Sequence, residues 1–429
     1  MNFKLMSCKN SRDKSHIIVN ILGIKIKFKR KVNLKFQKGY VKNYYHEQTI
    51  NKPKLKINNK RQPFVNIFIP QIHKNILTAG PLGILFFGKY LAEQKINVRF
   101  LCSPENYAPN DLKNIKDLDY ILTHCKFETF NENSVIEISE KDINVATFWS
   151  TAYIASYIQQ HCNSRKFIYL IQDYEKIFYP NSFTAALAEN TYDLDYLPIF
   201  STDILKDFFF KNNIGKLNDK KSEFTVFNTA ASSYLPNFDT FCKREKKKKF
   251  VFYGRPNNPR NCYEMGMNVI KKLIDNKILQ PSEWDFYSVG NMVGRTYFQD
   301  DVYIEELPYV SVDDYKKNLY SYDLCLSLMM SPHPSMVPID MALSGVPVVT
   351  NIYKNKTKKS LKEISKNIYS TKLNEDDLYN EIKDVLKCTN NLKERYNNAN
   401  SYYPNNWDFC FASNMENIIE YIRNIHLVN

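Results

Sequence analysis

The pattern of apolar and polar positions changes near residue 63. Before it, apolar and basic residues alternate, most regularly in Ile24-Lys25-Ile26-Lys27-Phe28-Lys29-Arg30-Lys31. A period of two fits a strand with one basic face. It also fits an interfacial segment that inserts Ile and Phe while Lys faces lipid headgroups, or a solvated basic tail. After residue 63, short apolar runs alternate with amphipathic stretches. Phe64-Val65-Asn66-Ile67-Phe68-Ile69-Pro70 reads as a buried strand and Gly80-Pro81-Leu82-Gly83 as a loop; the spacing then predicts a helix over 84–94 and a strand over 98–101. Strands at 145–148, 166–171 and 197–200 and helices at 150–160 and 203–212 continue the alternation. Strands buried on both faces and separated by helices imply a parallel sheet with helices on either side.

A charged stretch, 243–249, precedes a second unit of the same kind. Its strands fall at 250–253, 284–289, 324–328 and 346–350, and its helices at 262–276, 312–319 and 338–344. A helical segment over 402–425, with Trp407, closes the chain. No internal repeat of 20–50 residues interrupts this order. The boundaries expected are a basic arm at 1–62, an N-terminal domain at 63–242, a linker at 243–249, a C-terminal domain at 250–401 and a closing helix at 402–429. The fold class is α/β: two Rossmann-like, doubly wound domains facing a cleft, with a basic N-terminal arm. In such sheets ligands sit beyond the carboxyl ends of the strands.

Charge sharpens the division. The 429 residues carry 59 Lys and Arg against 45 Asp and Glu. Residues 1–61 hold 17 basic and 2 acidic side chains, a net of +15, whereas 62–429 hold 42 and 43. The arm alone can attract a polyanion, and an anionic membrane surface is the partner expected for 1–61. A body without excess positive charge excludes a dedicated nucleic-acid protein. The nine cysteines show no CxxC or Cys/His spacing, which fits reduced thiols and no zinc site. With no apolar run of 18 residues and no signal-like segment, the expected location is cytoplasmic, peripheral on the inner face of the membrane. Asp193-Leu194-Asp195 is a short acidic pattern without supporting ligands, and no metal is expected.

The richest chemistry lies between Ser327 and Asn351, in Ser331-Pro332-His333-Pro334-Ser335 and Pro338-Ile339-Asp340-Met341-Ala342-Leu343-Ser344-Gly345-Val346-Pro347-Val348-Val349. It reads as strand, polar loop, helix N-terminus, short helix, glycine stop and strand. Free N–H groups at a helix start attract phosphate, and a carboxylate in the first turn, Asp340, suits ribose hydroxyls. Gly254 ends a strand, and Arg255 after it offers a planar fork to diphosphate oxygens; Arg260 is a second cation. In the first half, Gly80 and Gly83 permit close backbone approach. Gln172, Asp173 and Glu175 follow a buried strand and can orient hydroxyls or act as a base. Trp149 and Tyr179 can stack on sugar rings or pack in the core.

The Ser327–Asn351 string resembles the nucleotide-binding segment of GT-B glycosyltransferases of retaining family 4. Its Ser-Pro-His-Pro-Ser form is most similar to bacterial WsaF-type rhamnosyltransferases of surface glycan synthesis. Phe252-Tyr253-Gly254-Arg255-Pro256, Arg260-Asn261-Cys262-Tyr263-Glu264, Ala146-Thr147-Phe148-Trp149-Ser150-Thr151-Ala152-Tyr153 and the stretch from Leu170 to Pro180 resemble that group too. The resemblance spans about 64 to 425. It implies a metal-free enzyme that transfers a sugar with retention from a nucleoside-diphosphate donor, dTDP-rhamnose foremost, to a lipid-linked or glycan acceptor. By that resemblance Arg255, His333 and Asp173 are the catalytic candidates. Gly254, Arg255, Arg260, Ser331, His333, Ser335 and Asp340 form the donor side, and Gly80, Gly83, Trp149, Gln172, Asp173, Glu175 and Tyr179 the acceptor side. The chain departs from the family where a Glu is usual, at Pro332, with His333 or Ser335 as substitutes. It departs again where Tyr309 stands for a diphosphate Lys, with Lys316 or Lys317 nearby. A sugar-nucleotide epimerase on the same fold, or a scaffold without catalysis, are the rival readings.

Overall fold

The computed structural model describes residues 6–10, 16–21, 24–29, 52–72, 78–115, 117–131, 133–217, 223–290, 294–308 and 310–427. It divides into two compact units, Met1–Thr49 and Ile50–Asn429. In the first, β1 (Met6–Asn10), β2 (His16–Ile21) and β3 (Ile24–Lys29) form an antiparallel sheet in chain order. The register sets Ile17 opposite Phe28, Val19 opposite Ile26 and Ile21 opposite Ile24, with Cys8 against Val19 and Met6 against Ile21. Facing positions share one side of a sheet. Ile18 in turn stands opposite Lys27, so the register does not sort apolar from basic positions completely. The alternation at 24–29 is thus a strand, and residues 30–51 lie outside the described residues.

The second unit begins earlier than the alternation suggested. β4 (Lys54–Ile57) pairs in parallel with β8 (Val135–Ile138). Arg61 bonds the buried carboxylate of Asp142 at 2.5 Å, and Asp142 also accepts from the Phe64 N–H at 2.8 Å. Residues 54–62 therefore belong to the globule. Their Lys-Leu-Lys-Ile alternation matches the arm's, so the pattern gave no boundary.

The N-terminal sheet runs β12 (Thr225–Val226), β11 (Tyr196–Phe200), β10 (Phe167–Ile171), β9 (Ile143–Ala146), β5 (Val65–Phe68), β6 (Val98–Cys102), β7 (Lys126–Thr129), all parallel. The C-terminal sheet runs β15 (Gly294–Gln299), β16 (Val302–Glu306), β14 (Trp284–Val289), β13 (Lys248–Tyr253), β17 (Leu324–Leu326), β18 (Val348–Asn351), β19 (Ile368–Thr371), with β15 antiparallel at the edge. Both orders reverse direction once, between β5 and β9 and between β13 and β17. These are the topological switch points where a doubly wound sheet opens a crevice. Lys248 and Lys249 of the expected linker are already the first residues of β13.

Helices cover both faces of each sheet, and two glycines set how closely. A Cβ at Gly88 would lie 2.2 Å from the Phe100 ring, and one at Gly266 2.3 Å from the Phe252 ring. Each helix therefore settles onto its strand through a missing side chain. The closing segment is two helices, Trp407–Ala412 and Glu416–Leu427, not one. They return to the N-terminal domain: Trp407 stacks on Phe86 with centroids 5.4 Å apart, and Asp408 pairs with the mostly buried Lys89 at 2.8 Å. No helix among the described residues is long and apolar enough to cross a membrane.

Candidate functional site

A cavity of about 660 Å³ opens where the strand ends of the two sheets face each other. Ile69 and Pro70 follow β5, Thr147 and Phe148 follow β9, and Gln172, Asp173 and Glu175 follow β10. From the other side come Arg255 after β13, Gly290 after β14, Leu307 and Pro308 after β16, and Met329 and His333 after β17. Two helix N-termini reach it, Thr78–Pro81 and Ser335–Val337. Each helix carries a proline at its third position, Pro81 and Pro338, where the missing N–H is one that no carbonyl would meet. Gly80 to Gly83 are thus the first turn of the helix Ala79–Glu93, not a loop before it. Asp340 falls in the second turn of the helix Met336–Leu343, because that helix starts two residues earlier than the proline suggested.

Asp340 is nonetheless part of the wall. Its carboxylate accepts from the Ser232 N–H at 2.7 Å and the Tyr315 hydroxyl at 3.2 Å. Burial raises its pKa to about 7 against those two bonds. Ser335, the residue before the helix, has φ +68°, an uncommon conformation for a side chain-bearing residue. Its N–H donates to His333 Nδ1 at 3.0 Å. An accepting Nδ1 leaves the imidazole proton on Nε2, so His333 is a neutral donor. Burial drives its pKa down to about 4; Arg260 and Lys356 act the same way and Asp173 opposes.

Asp173 crosses the cleft. One carboxylate oxygen accepts from Arg260 Nη1 and the other from Ser331 Oγ, both on the C-terminal domain. Ser331 Oγ in turn accepts from the His333 N–H at 3.0 Å. The carboxylate of one domain therefore organises the polar loop of the other. Arg260 also lies over the Phe178 ring at 4.2 Å. Arg255 differs: among the described residues Nη1 reaches only the Tyr253 hydroxyl, at 3.5 Å, and its buried Nε has no partner. Gly290, at φ +130°, leaves room for it, since a Cβ there would sit 2.9 Å from Arg255 Cγ.

Two family models match the chain: the WsaF N-terminal domain over 64–203 and the WsaF C-terminal domain over 248–383. Together they cover well over half of it. The chain belongs to the WsaF family. It is also similar to the O-antigen biosynthesis protein RfbC of Myxococcus xanthus, 29% identical over 222 residues, which is 49% of this chain and only 15% of RfbC. Its fold is similar to Anabaena HepE in complex with UDP-glucose (TM-score 0.55, 12% identity, 84% of this chain and 98% of that one). It is similar too to a variant of S. aureus TarM in complex with UDP (0.55, 11%, 85% and 100%) and to WaaG, a glycosyltransferase involved in lipopolysaccharide biosynthesis (0.50, 10%, 85% and 100%). These likenesses show the GT-B fold.

In this WsaF-family chain several of the expected site residues already have partners or lie off the wall. Arg260 lines the wall with its Nη1 held by Asp173 and its guanidinium over Phe178, and Ser331 is fully buried against Asp173. Asp173 lines the wall too and, with three donors counting the Tyr174 N–H at 2.8 Å, links the two domains across the cleft. Trp149 and Tyr179 bond each other, Nε1 to hydroxyl at 2.8 Å, and lie outside the cavity wall. Gly83 packs against Trp407, and Gly254 sits against Ser288. Gln172 stays on the wall, its Oε1 3.4 Å from where a Gly80 Cβ would be. Glu175 lines the wall with one oxygen bonded to the Trp149 N–H at 2.6 Å, and burial pushes its pKa well up. Lys316 and Lys317 are absent from the wall, and Tyr309 lies outside the described residues. Among the described residues no group of three His, Cys, Asp or Glu could hold a metal. Residues the motifs missed include Ser232 and Tyr315 on the wall and Lys356, bonded to the wall residue Met329; Tyr253, inside a quoted motif but given no role, is on the wall as well. Ser232 and Lys356 sit in irregular segments, and nothing in their local pattern marks them.

Proposed function

We propose that the protein is a GT-B glycosyltransferase of surface glycan synthesis that uses a nucleoside-diphosphate sugar, with dTDP-rhamnose foremost. The observation that carries this is Arg255: among the described residues it is the wall cation without a carboxylate partner, its Nε buried and unpaired, and a helix N-terminus lines the same cavity. A dianionic diphosphate supplies what both lack. Asp340 then meets the ribose, since each carboxylate oxygen can accept a second bond. His333 offers Nε2–H in place of the usual Glu. Transfer proceeds on one face of the sugar. The acceptor oxygen bonds the anomeric carbon as the bond to phosphate breaks, the diphosphate keeps the electron pair, and the acceptor proton passes to it. Arg255 and the N–H groups at Met336 and Val337 stabilise that developing charge. Acceptor hydroxyls enter past Gln172 and Glu175, and the product retains its anomeric configuration. The basic arm holds the enzyme on an anionic membrane surface, where a lipid-linked acceptor resides.

A thermal-shift panel of nucleoside diphosphates and their sugars tests this. A ligand at ~100 Kd adds about 2.7 kcal/mol of stability. No shift from any nucleotide would remove the reading. Turnover of donor sugar without acceptor would instead favour an epimerase.

A further inference from the structure

Lys356 is fully buried, which is rare for a lysine. It closes a tight turn after β18, in which Tyr353 and Lys356 exchange backbone hydrogen bonds of 3.0 and 2.8 Å and Lys354 takes φ +51°. This turn sits between the domains. Asn355 Nδ2 donates to the carbonyl of Ile204, in the first turn of the N-terminal domain's helix Asp203–Lys211. Lys356 Nζ donates to the carbonyl of Met329 at 2.8 Å. Met329 lines the cavity and leads into Ser331 and His333; the Asn351 side chain also holds its N–H at 2.7 Å and its carbonyl at 3.1 Å.

The groups facing Lys356 are Asp173 from the N-terminal domain and Arg260, Cys262 and His333 from its own. One carboxylate stands against two cations, and Asp173 is already bonded to Arg260. Burial, with help from Arg260, lowers the ammonium pKa to about 7 against Asp173 and Cys262. An anion placed in the cavity favours the charged form.

We propose that Lys356 is a positioning residue for the donor diphosphate: it holds the Met329 turn from beneath and gains a proton from solvent as the diphosphate arrives. This rests on the reading of the cavity as a nucleotide-sugar site. The polar loop then carries its full charge only when loaded.

Calorimetry of dTDP-rhamnose or UDP-glucose at pH 7.5, in two buffers of different ionisation heat, reads the proton directly. The diphosphate of such a donor has no titrating proton near neutrality. Wild type should take up more of a proton than Lys356→Met, and that variant should bind about tenfold more weakly. Lys356→Arg, always charged, should regain part of the affinity without the extra uptake. Asp340 on the same wall, with a pKa of about 7, titrates in every chain, so only the difference between wild type and variant belongs to Lys356. Equal uptake by wild type and the variants overturns the proposal, and Lys356→Arg, which keeps the charge, decides if Lys356→Met does not fold. Absence of any binding overturns both this proposal and the site reading beneath it.

Discussion

Asp173→Asn isolates the contact that joins the two domains over the site. The amide keeps the size of the carboxylate and can still accept from Ser331, but it loses the charge that holds Arg260. Leaving one partner of a buried pair uncompensated costs about 3–5 kcal/mol. The Arg260 side chain keeps 21% of its exposure and a stacking partner in Phe178, so the loss falls below that range, ~2–3 kcal/mol. Because the partners sit on different domains, this loss weakens closure and leaves each core intact. At ~1.4 kcal/mol per tenfold it shifts the closed-to-open ratio by roughly 100-fold. Small-angle scattering should show an expanded particle, and kcat/KM should fall by a similar factor while the thermal transition of each core moves little. Ser232 to Asp340 and Asn355 to Ile204 remain as weaker cross-cleft bonds. Replacing Arg260 by Gln in the same chain should recover part of the closure, since no lone cation is left. Wild-type scattering together with turnover within threefold of wild type would refute the argument.

Three further outcomes follow from the same geometry. Arg255→Ala should lower turnover more than it weakens nucleoside monophosphate binding, and Arg255→Lys should rescue only in part because a point charge lacks the planar fork; wild-type turnover in the alanine variant removes it from the mechanism. His333 is held neutral in the fold with a pKa of about 4, below its usual 6.5, so its contribution to stability is full above pH 6.5 and is lost as the pH falls through 4. Wild type should lose on the order of 3 kcal/mol across that window relative to His333→Gln, and parallel denaturation curves would contradict the assignment. The arm should bind anionic vesicles, release them at high salt and ignore neutral ones. The chain cut before Ile50, which keeps β4 and the Arg61–Asp142 pair, should bind neither; sedimentation of that shorter chain with anionic vesicles would show that the arm is not the anchor.

The α/β class and the two doubly wound units were legible because they depend on local periodicity. Phe167–Ile171 and Tyr196–Phe200 are unbroken apolar runs, and a strand buried on both faces leaves that mark wherever it lies. The string from Ser327 to Asn351 likewise disclosed a loop leading into a helix start, since proline and glycine act on their own backbone. What the string could not disclose is which side chains are already taken. Arg260 and Arg255 are five residues apart and read alike, yet one is paired with Asp173, 87 positions away, and the other has no carboxylate partner among the described residues. Ser331 and Asp173 looked like open ligands until the fold turned them toward each other. Lys356 has no local signature, because its meaning comes from burial beside Asp173, Arg260 and Met329. Chain order sets which backbone conformations are cheap over a few residues. The partner of a charge, and hence whether it is free to act, is decided by contacts between segments far apart in that order, and these exist only once both sheets have formed and closed on one another.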